Sequence, residues 1–514
     1  MGRQLYAQHC AGCHGASGDG QGPAAAFLFP KPRDFREGRF RLVSTQNRVP
    51  SRRDLEDVLL RGMPGSAMPP WPQLSEAQRA ALVDEVLRIR REAARELYVR
   101  LLKEEQELSD AELAAPDIQR EIADFVQRMT TAGEVTAVPQ YMEPTAESIA
   151  RGKQWYASAG CLPCHGPEGR GDGVQQMFDD EKLPTAPRDF VRGIFKGGDD
   201  FASLYRRIAY GMPGTPMPSA TQLSSQQMVE LVHYILSLSD EATRQAAVLT
   251  RERIAAVRVP SLPQSADDTA WQQIPTSVVR LTPLWWRNDF DPQREVIQVQ
   301  AAHDGTTLAL RLSWPDATRN ADATASEAFE DGVAVALHDA GSEPFLGMGG
   351  AEAAVSVWYW DADRQHHPDV FARYERAVVD WYPLQEEPVD TAEFPRSRTG
   401  AEHVPPLLAP PRATGNLIVP PPDGNGASEL AAGGPGTIRF RPAPQSGVVA
   451  RGEWNAQRWT VQMSCALDKA SGRGSQPWSP PRRLIAAFAV WDGAYRDRDG
   501  QKLISIWQDF ELRP

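Results

Sequence analysis

Cys10-Ala-Gly-Cys-His14 and Cys161-Leu-Pro-Cys-His165 decide how this chain is read. Cys-x-x-Cys-His is the attachment signature of c-type haem: two thiols form thioethers to the vinyl groups and the adjacent imidazole binds iron. The two pentapeptides use four of the five cysteines. A redox CxxC pair or half a zinc site is the competing reading. Zinc wants four Cys/His ligands in one closed cluster, and each motif here stands alone in its own repeat. Cys10, Cys13, Cys161 and Cys164 are therefore read as covalent haem anchors, with His14 and His165 as iron ligands.

Moving outward, the flanks repeat as well. Met1-Gly-Arg-Gln-Leu-Tyr6 returns as Arg151-Gly-Lys-Gln-Trp-Tyr156, and Pro32-Arg-Asp-Phe35 as Pro187-Arg-Asp-Phe190. Gly62-Met-Pro-Gly-Ser-Ala-Met-Pro69 returns as Gly211-Met-Pro-Gly-Thr-Pro-Met-Pro218. A glycine-rich run, Gly15 to Gly22, lets backbone approach a macrocycle closely. Each repeat closes with an amphipathic helix, after Leu74-Ser-Glu and after Leu223-Ser-Ser; Leu82, Val86 and Ile89 are expected to pack across the helix at Gly2. The pattern is an internal duplication, with modules at 1–90 and 148–240. Two methionines in each loop offer a soft sixth ligand. Arg33 and Arg188 are candidate partners of haem propionates, since guanidinium matches carboxylate bidentately; a plain surface ion pair is the equal alternative. His9 and His233 have no counterpart in the other repeat and are read as non-ligands.

The repeats resemble the small monohaem modules of class I cytochromes c, including those attached to cbb3-type oxidases. In that family the ligand is the later Met of a Pro-Gly-x-x-Met-Pro run. The resemblance implies Met68 and Met217, with Met63 packing nearby.

Residues 91–147 are rich in Glu, Arg, Leu and Ala. They predict two solvated helices, about 91–107 and 110–130, with Ser109-Asp-Ala-Glu112 as a capping box, then a linker. From 255 to 514 the periodicity changes. Val296 to Trp314 reads as two alternating strands around Asp304-Gly305. Further strands are predicted at 333–337, 355–360, 437–441, 458–463, 485–491 and 504–507, separated by long Pro/Gly-rich loops. Cys465 reads as a buried strand thiol. The fold class that follows is multidomain: two all-α modules, then an antiparallel β-sandwich.

The C-terminal part resembles the haem-binding γ subunit of ethylbenzene dehydrogenase and its relatives in dimethylsulfide dehydrogenase and selenate reductase. The resemblance rests on His303-Asp-Gly305, Leu312-Ser-Trp-Pro-Asp-Ala-Thr318, Phe329-Glu-Asp-Gly-Val-Ala-Val335, Leu346-Gly-Met-Gly-Gly350, Val357-Trp-Tyr-Trp360, Gly415-Asn416, Gly434-Pro-Gly-Thr437, Ala487-Phe-Ala-Val-Trp-Asp-Gly493 and Gly500-Gln-Lys-Leu-Ile-Ser-Ile-Trp507. It implies a non-covalent b haem ligated by Met348 and Lys502. Lysine binds iron only as the neutral amine, which burial favours. His303 is a rival ligand beside a turn, and His366-His367 lies in a loop open to adventitious metal.

At 514 residues the chain has room for about three domains. A formal charge of −12 argues against nucleic acid. No apolar run reaches the ~18 residues of a membrane span. Haem-site sequence begins within ten residues of Met1, so no signal peptide is visible; covalent haem implies an exported or periplasmic protein whose precursor is longer. The expected function is electron transfer without bond chemistry, by two covalent haem c groups and one haem b. The expected partners are molybdopterin and iron–sulfur oxidoreductase subunits and a soluble or membrane-bound redox carrier. The rivals are a dihaem peroxidase, and a dihaem cytochrome with a haem-free carbohydrate-binding sandwich whose Trp285, Trp286, Trp358 and Trp360 stack on sugar.

Overall fold

The computed structural model describes residues 1–286, 292–321, 328–341, 343–346, 348–350, 354–366, 426–434, 437–440, 447–470 and 477–514. Gly415-Asn416, His367 and most of the 383–436 loop lie outside these residues. The chain forms two compact units, one of Met1–Leu249 with Thr282–Pro292, the other of Thr250–Leu281 with Gln293–Pro514.

The first unit is helical. Helix α1 (Gly2–His9) crosses α3 (Glu76–Glu105), and α2 (Arg52–Arg61) leads into the first methionine loop. In the second repeat, α5 (Ala146–Ser158) crosses α7 (Ser225–Ser237), with α6 (Phe201–Tyr210) before the second loop; α4 (Pro116–Thr130) lies between the repeats. The crossings need glycine. A Cβ on Gly2 would collide with the Ala81 carbonyl, and one on Gly152 with the Glu230 carbonyl. Leu82 and Ile89 are buried there as expected, but Val83 rather than Val86 is the buried valine.

The connection departs from expectation. The closing helix of the first repeat and the first spacer helix are one 30-residue helix, because nothing between Ser75 and Gln106 breaks it. The Ser109–Glu112 capping box is present, but its helix lasts only four residues before Pro116 restarts at the first helical position. The connection is also not merely solvated: Leu102, Leu113 and Ile122 form a small buried core, and Tyr98 stacks on Phe125 at 4.2 Å. The following linker is pinned to the first repeat where Thr136 N donates to Ser44 O at 2.7 Å.

Within the first unit the two repeats are latched by buried polar contacts. Arg41 pairs with Asp179 at 2.6 Å, at 8% and 4% side-chain exposure. Arg33 pairs with Glu181 at 2.6 Å, and Arg207 donates to the Val43 carbonyl at 2.8 Å.

The second unit is mostly β, but it is not an antiparallel sandwich. Its strands are β1 (Arg253–Arg258), β2 (Ser277–Arg280), β3 (Val296–His303), β4 (Thr307–Pro315), β5 (Gly332–Asp339), β6 (Val355–Asp361), β7 (Ala427–Ala432), β8 (Arg439–Phe440), β9 (Val449–Trp454), β10 (Arg458–Ala466), β11 (Arg482–Trp491), β12 (Leu503–Ile504) and β13 (Gln508–Leu512). They form one mixed, barrel-like sheet in the order β9-β10-β4-β3-β1-β13-β11-β5-β6-β7-β8. β1 is parallel to both β3 and β13, which makes the sheet mixed. The expected domain start at 255 falls inside β1, for which the sequence pattern predicts no strand. The predicted β3–β4 hairpin is present, with Gly305 at φ 98° in its turn.

Alternation fills the interior. Trp459, Val461, Met463 and Cys465 of β10 point inward to Trp314, Trp358, Trp360 and Phe488. One end of the sheet is met by Gln365, which follows β6 in the short helix Ala362–His366. Its Nε2 donates to Gly452 O at 2.8 Å, and its Oε1 accepts from Gly452 N at 2.6 Å, on the edge strand β9.

Candidate haem sites

In the first repeat, Cys10 to His14 turn into a single helical turn, and Gly15, at φ 77°, reverses the chain. The His14 ring is buried and donates Nδ1–H to the Arg33 carbonyl at 2.9 Å. That bond fixes the tautomer and leaves Nε2 with its lone pair outward, as an iron ligand requires. Burial pushes the imidazole down to about 4, so it is neutral at physiological pH. Phe35 stacks on the ring at 4.3 Å, and Tyr6 Oη donates to Gly15 O at 2.8 Å.

The second repeat reproduces this atom for atom. His165 Nδ1 donates to the Arg188 carbonyl at 3.2 Å, Phe190 stacks at 4.5 Å, and Tyr156 Oη donates to Gly166 O at 2.8 Å. Among the described residues nothing bonds Nε2 of either histidine. Gly22 and Gly173 are equivalent too, each lying so close to the carbonyls of its CxxCH turn that a Cβ would collide. Phe35, Phe190 and the two carbonyls were not assigned roles from sequence. The signal was the repeated Pro-Arg-Asp-Phe, whose arginine drew attention away from its neighbours.

Burial pushes the Cys10 and Cys13 thiols up to about 12 and Cys161 to about 11. A reactive redox CxxC depends on the opposite shift.

The methionine loops also match. Met63 N donates to Met68 O at 3.0 Å, and Met212 N to Met217 O at 3.2 Å. Ser66 Oγ and Thr215 Oγ1 donate to the first methionine's carbonyl, at 2.6 and 2.9 Å. Met68 packs against the core that includes Cys10 and Phe35, whereas Met63 does not. Met217 is half-buried in its loop.

Arg33 and Arg188 differ. Arg33 is paired with Glu181. Arg188 is half-buried, and its Nη1 is buried with no hydrogen-bond partner among the described residues. Its guanidinium lies against Gly65 in the first repeat's methionine loop, where a Cβ would meet it, and over the Trp286 ring at 5.7 Å. Burial, then Arg41, pulls it down to about 10; Lys196 is driven well below its usual range by burial and by Arg188, Arg41 and Arg33. Arg188 and Lys196 are thus the cations here that could face anionic groups such as haem propionates. His9 and His233 are occupied elsewhere: His9 packs on Trp71 at 5.0 Å, and His233 bonds Ser148 Oγ and Met142 O, each at 2.9 Å.

In the second unit, Met348 and Lys502 border one apolar face. Its floor is Ala334 and Ala336 of β5 and Ala487 and Ala489 of β11, adjacent in register, with Val357, Leu430 and Trp507 around them. Small side chains let another group approach the sheet backbone closely here. Met348 lies at this face on a turn that ends at Gly349, φ 67°. Trp491 belongs to the same face, and Lys502 Nζ lies over its ring at 4.7 Å. Burial pushes the lysine down to about 8, against the pull of Asp499. The neutral amine is thereby within reach.

His303 is not turn chemistry: it ends β3, fully buried, and donates Nε2–H to Arg513 O at 2.7 Å. The four tryptophans of the carbohydrate reading do not form a face. Trp358 and Trp360 are in the core at 0% exposure, while Trp285 and Trp286 belong to the helical unit, with Trp285 stacked on Phe29.

Residues 1–84 match the family described as cytochrome c oxidase, cbb3-type, subunit III, and residues 149–239 match cytochrome c. Residues 268–403 match the family described as ethylbenzene dehydrogenase. A respiratory nitrate reductase heme subunit of Haloferax mediterranei is 26% identical over 266 residues, 51% of this chain and 72% of that protein. The dimethylsulfide dehydrogenase subunit gamma of Rhodovulum sulfidophilum is 25% identical over 276 residues, 50% of this chain and 79% of that one. A chain of the reducing HAO-like protein complex of Kuenenia stuttgartiensis is 31% identical, covering 46% of this chain and 96% of its own, at a TM-score of 0.37.

Proposed function

From a chain that joins two segments of the cytochrome c families to one of the ethylbenzene dehydrogenase family, we propose a three-haem electron-transfer subunit of an exported molybdopterin oxidoreductase. Cys10, Cys13, Cys161 and Cys164 would anchor two haem c groups, ligated by His14 with Met68 and by His165 with Met217. Arg188, Lys196 and Arg33 would face their propionates. Met348 and Lys502 would hold a haem b on the alanine floor. These groups supply one-electron chemistry when bound; the protein's own residues position them, keep both imidazoles neutral and shield the irons from water. Two protein ligands offered to each iron would leave no position for substrate, and the chain would serve as relay rather than catalyst. The nitrate reductase and dimethylsulfide dehydrogenase relatives are named as heme and gamma subunits of oxidoreductases, which supports a catalytic partner.

The observation that carries this reading is the duplicated imidazole–carbonyl bond, which leaves Nε2 of both CxxCH histidines unengaged. The test is a pyridine haemochrome spectrum of protein matured in an export-competent host, before and after acid-acetone extraction. Two haems retained and one extracted per chain is the expected result. Two retained and none extracted would remove the haem b site and leave the β unit a docking module.

A further inference from the structure

Three strand ends converge on a group of buried carboxylates in the β unit. Asp316 follows β4, Asp331 precedes β5 and Asp492 follows β11; their exposures are 1%, 0% and 3%. One oxygen from each lies within 4.8 Å of the others. Asp331 accepts from Gly493 N at 2.9 Å, Asn320 N at 2.6 Å and Trp459 Nε1 at 2.9 Å. Asp492 accepts from Ala494 N at 2.9 Å and pairs with Arg294 Nε at 2.8 Å. Arg294 also pairs with Asp497 at 2.9 Å.

Asp316 differs from its neighbours. Its Oδ1 accepts from Thr318 N at 3.1 Å, but its Oδ2 is buried without a hydrogen-bond partner among the described residues. Among the described residues Arg294 pairs with two of these four carboxylates, Asp492 and Asp497, and an orphaned oxygen of a third belongs to the cluster. Uncompensated buried charge of this kind is strongly unfavourable. A cation would resolve both features. The donors are all oxygen, which selects a hard ion over zinc or copper. Mg²⁺ keeps several waters and is seldom held by protein oxygens alone, whereas Ca²⁺ takes about six to eight oxygens in flexible geometry, so a buried all-carboxylate group suits the larger ion.

We propose that Asp316, Asp331 and Asp492 form a Ca²⁺ site that ties together the ends of β4, β5 and β11. Asp492 begins the segment that runs to Lys502, and Trp491 beside it carries the lysine head group. The ion would therefore hold the base of the segment that delivers the proposed haem ligand.

The experiment uses the full-length protein, stripped with chelator and titrated with CaCl₂. About one Ca²⁺ per chain should survive desalting in elemental analysis. The thermal midpoint should rise by several degrees on saturation, and by less with Mg²⁺ at equal concentration. Asp316→Asn should lose the bound ion and the thermal response, yet melt in chelator no lower than the wild type, since one repulsive charge is gone. Wild-type protein that retains no Ca²⁺ and melts identically with chelator and with Ca²⁺ would overturn the proposal; a proton shared among the carboxylates gives that outcome. An Asp316→Asn protein with an undiminished response would overturn it too. If that variant does not fold, the wild-type metal count decides alone.

Discussion

At the residue scale, the consequential choice is between two methionines in each loop. Met68 shares a core with Cys10 and Phe35, while Met63 is held through its backbone. Replacing Met68 or Met217 with Ala should convert one haem c, and only that one, from a low-spin to a high-spin spectrum. Met63→Ala and Met212→Ala should leave both unchanged. Met348→Ala or Lys502→Ala should alter only the haem b spectrum. Equal loss of all three haems in any of these variants would show that a structural residue had been taken for a ligand. The CxxCH residues were legible in sequence because their spacing is itself the chemistry. The Phe35 and Phe190 stacking and the alanine floor were not, since small and aromatic residues carry no signature until tertiary structure gathers them.

Helices and strands were legible where periodicity is strong and misread where a boundary depends on context. The 30-residue helix was divided because its amphipathic face changes partner, from α1 in the first repeat to α4 in the connection, without any change in helix propensity. β1 was missed as a strand because its six residues carry too little pattern, and its parallel neighbours lie far away in sequence. The helix crossings yield a sharper expectation. At Gly152 a methyl group would enter the Glu230 carbonyl, so the helices must separate. Gly152→Ala should cost about 1–3 kcal/mol, the usual penalty of overpacking, read as a lowered midpoint in denaturant with the first repeat's haem spectrum intact.

At the scale of the molecule, duplication was plain from sequence, but the way the copies are joined was not. Arg41 of one repeat and Asp179 of the other form a buried pair whose partners are 138 residues apart. Each alone reads as an ordinary surface charge. Asp179→Ala would strand Arg41 in the interior at a cost of about 3–5 kcal/mol. Global stability by chemical denaturation should fall by that amount, while Arg41→Met combined with Asp179→Leu should recover much of it. A cost under about 1 kcal/mol would place the pair among solvent-exposed bridges.

The amide of Gln365 gives the β unit one more property. An open sheet edge is a template on which another chain can add a strand. On β9 the N–H and C=O of Gly452 are both taken by one side chain of the same protein, which acts as a single residue of a missing neighbour. A chain that meets a partner protein, as proposed above, gains from this. Its strand-pairing capacity at that position is spent internally, so encounters there are left to side-chain complementarity, which discriminates among partners where backbone does not.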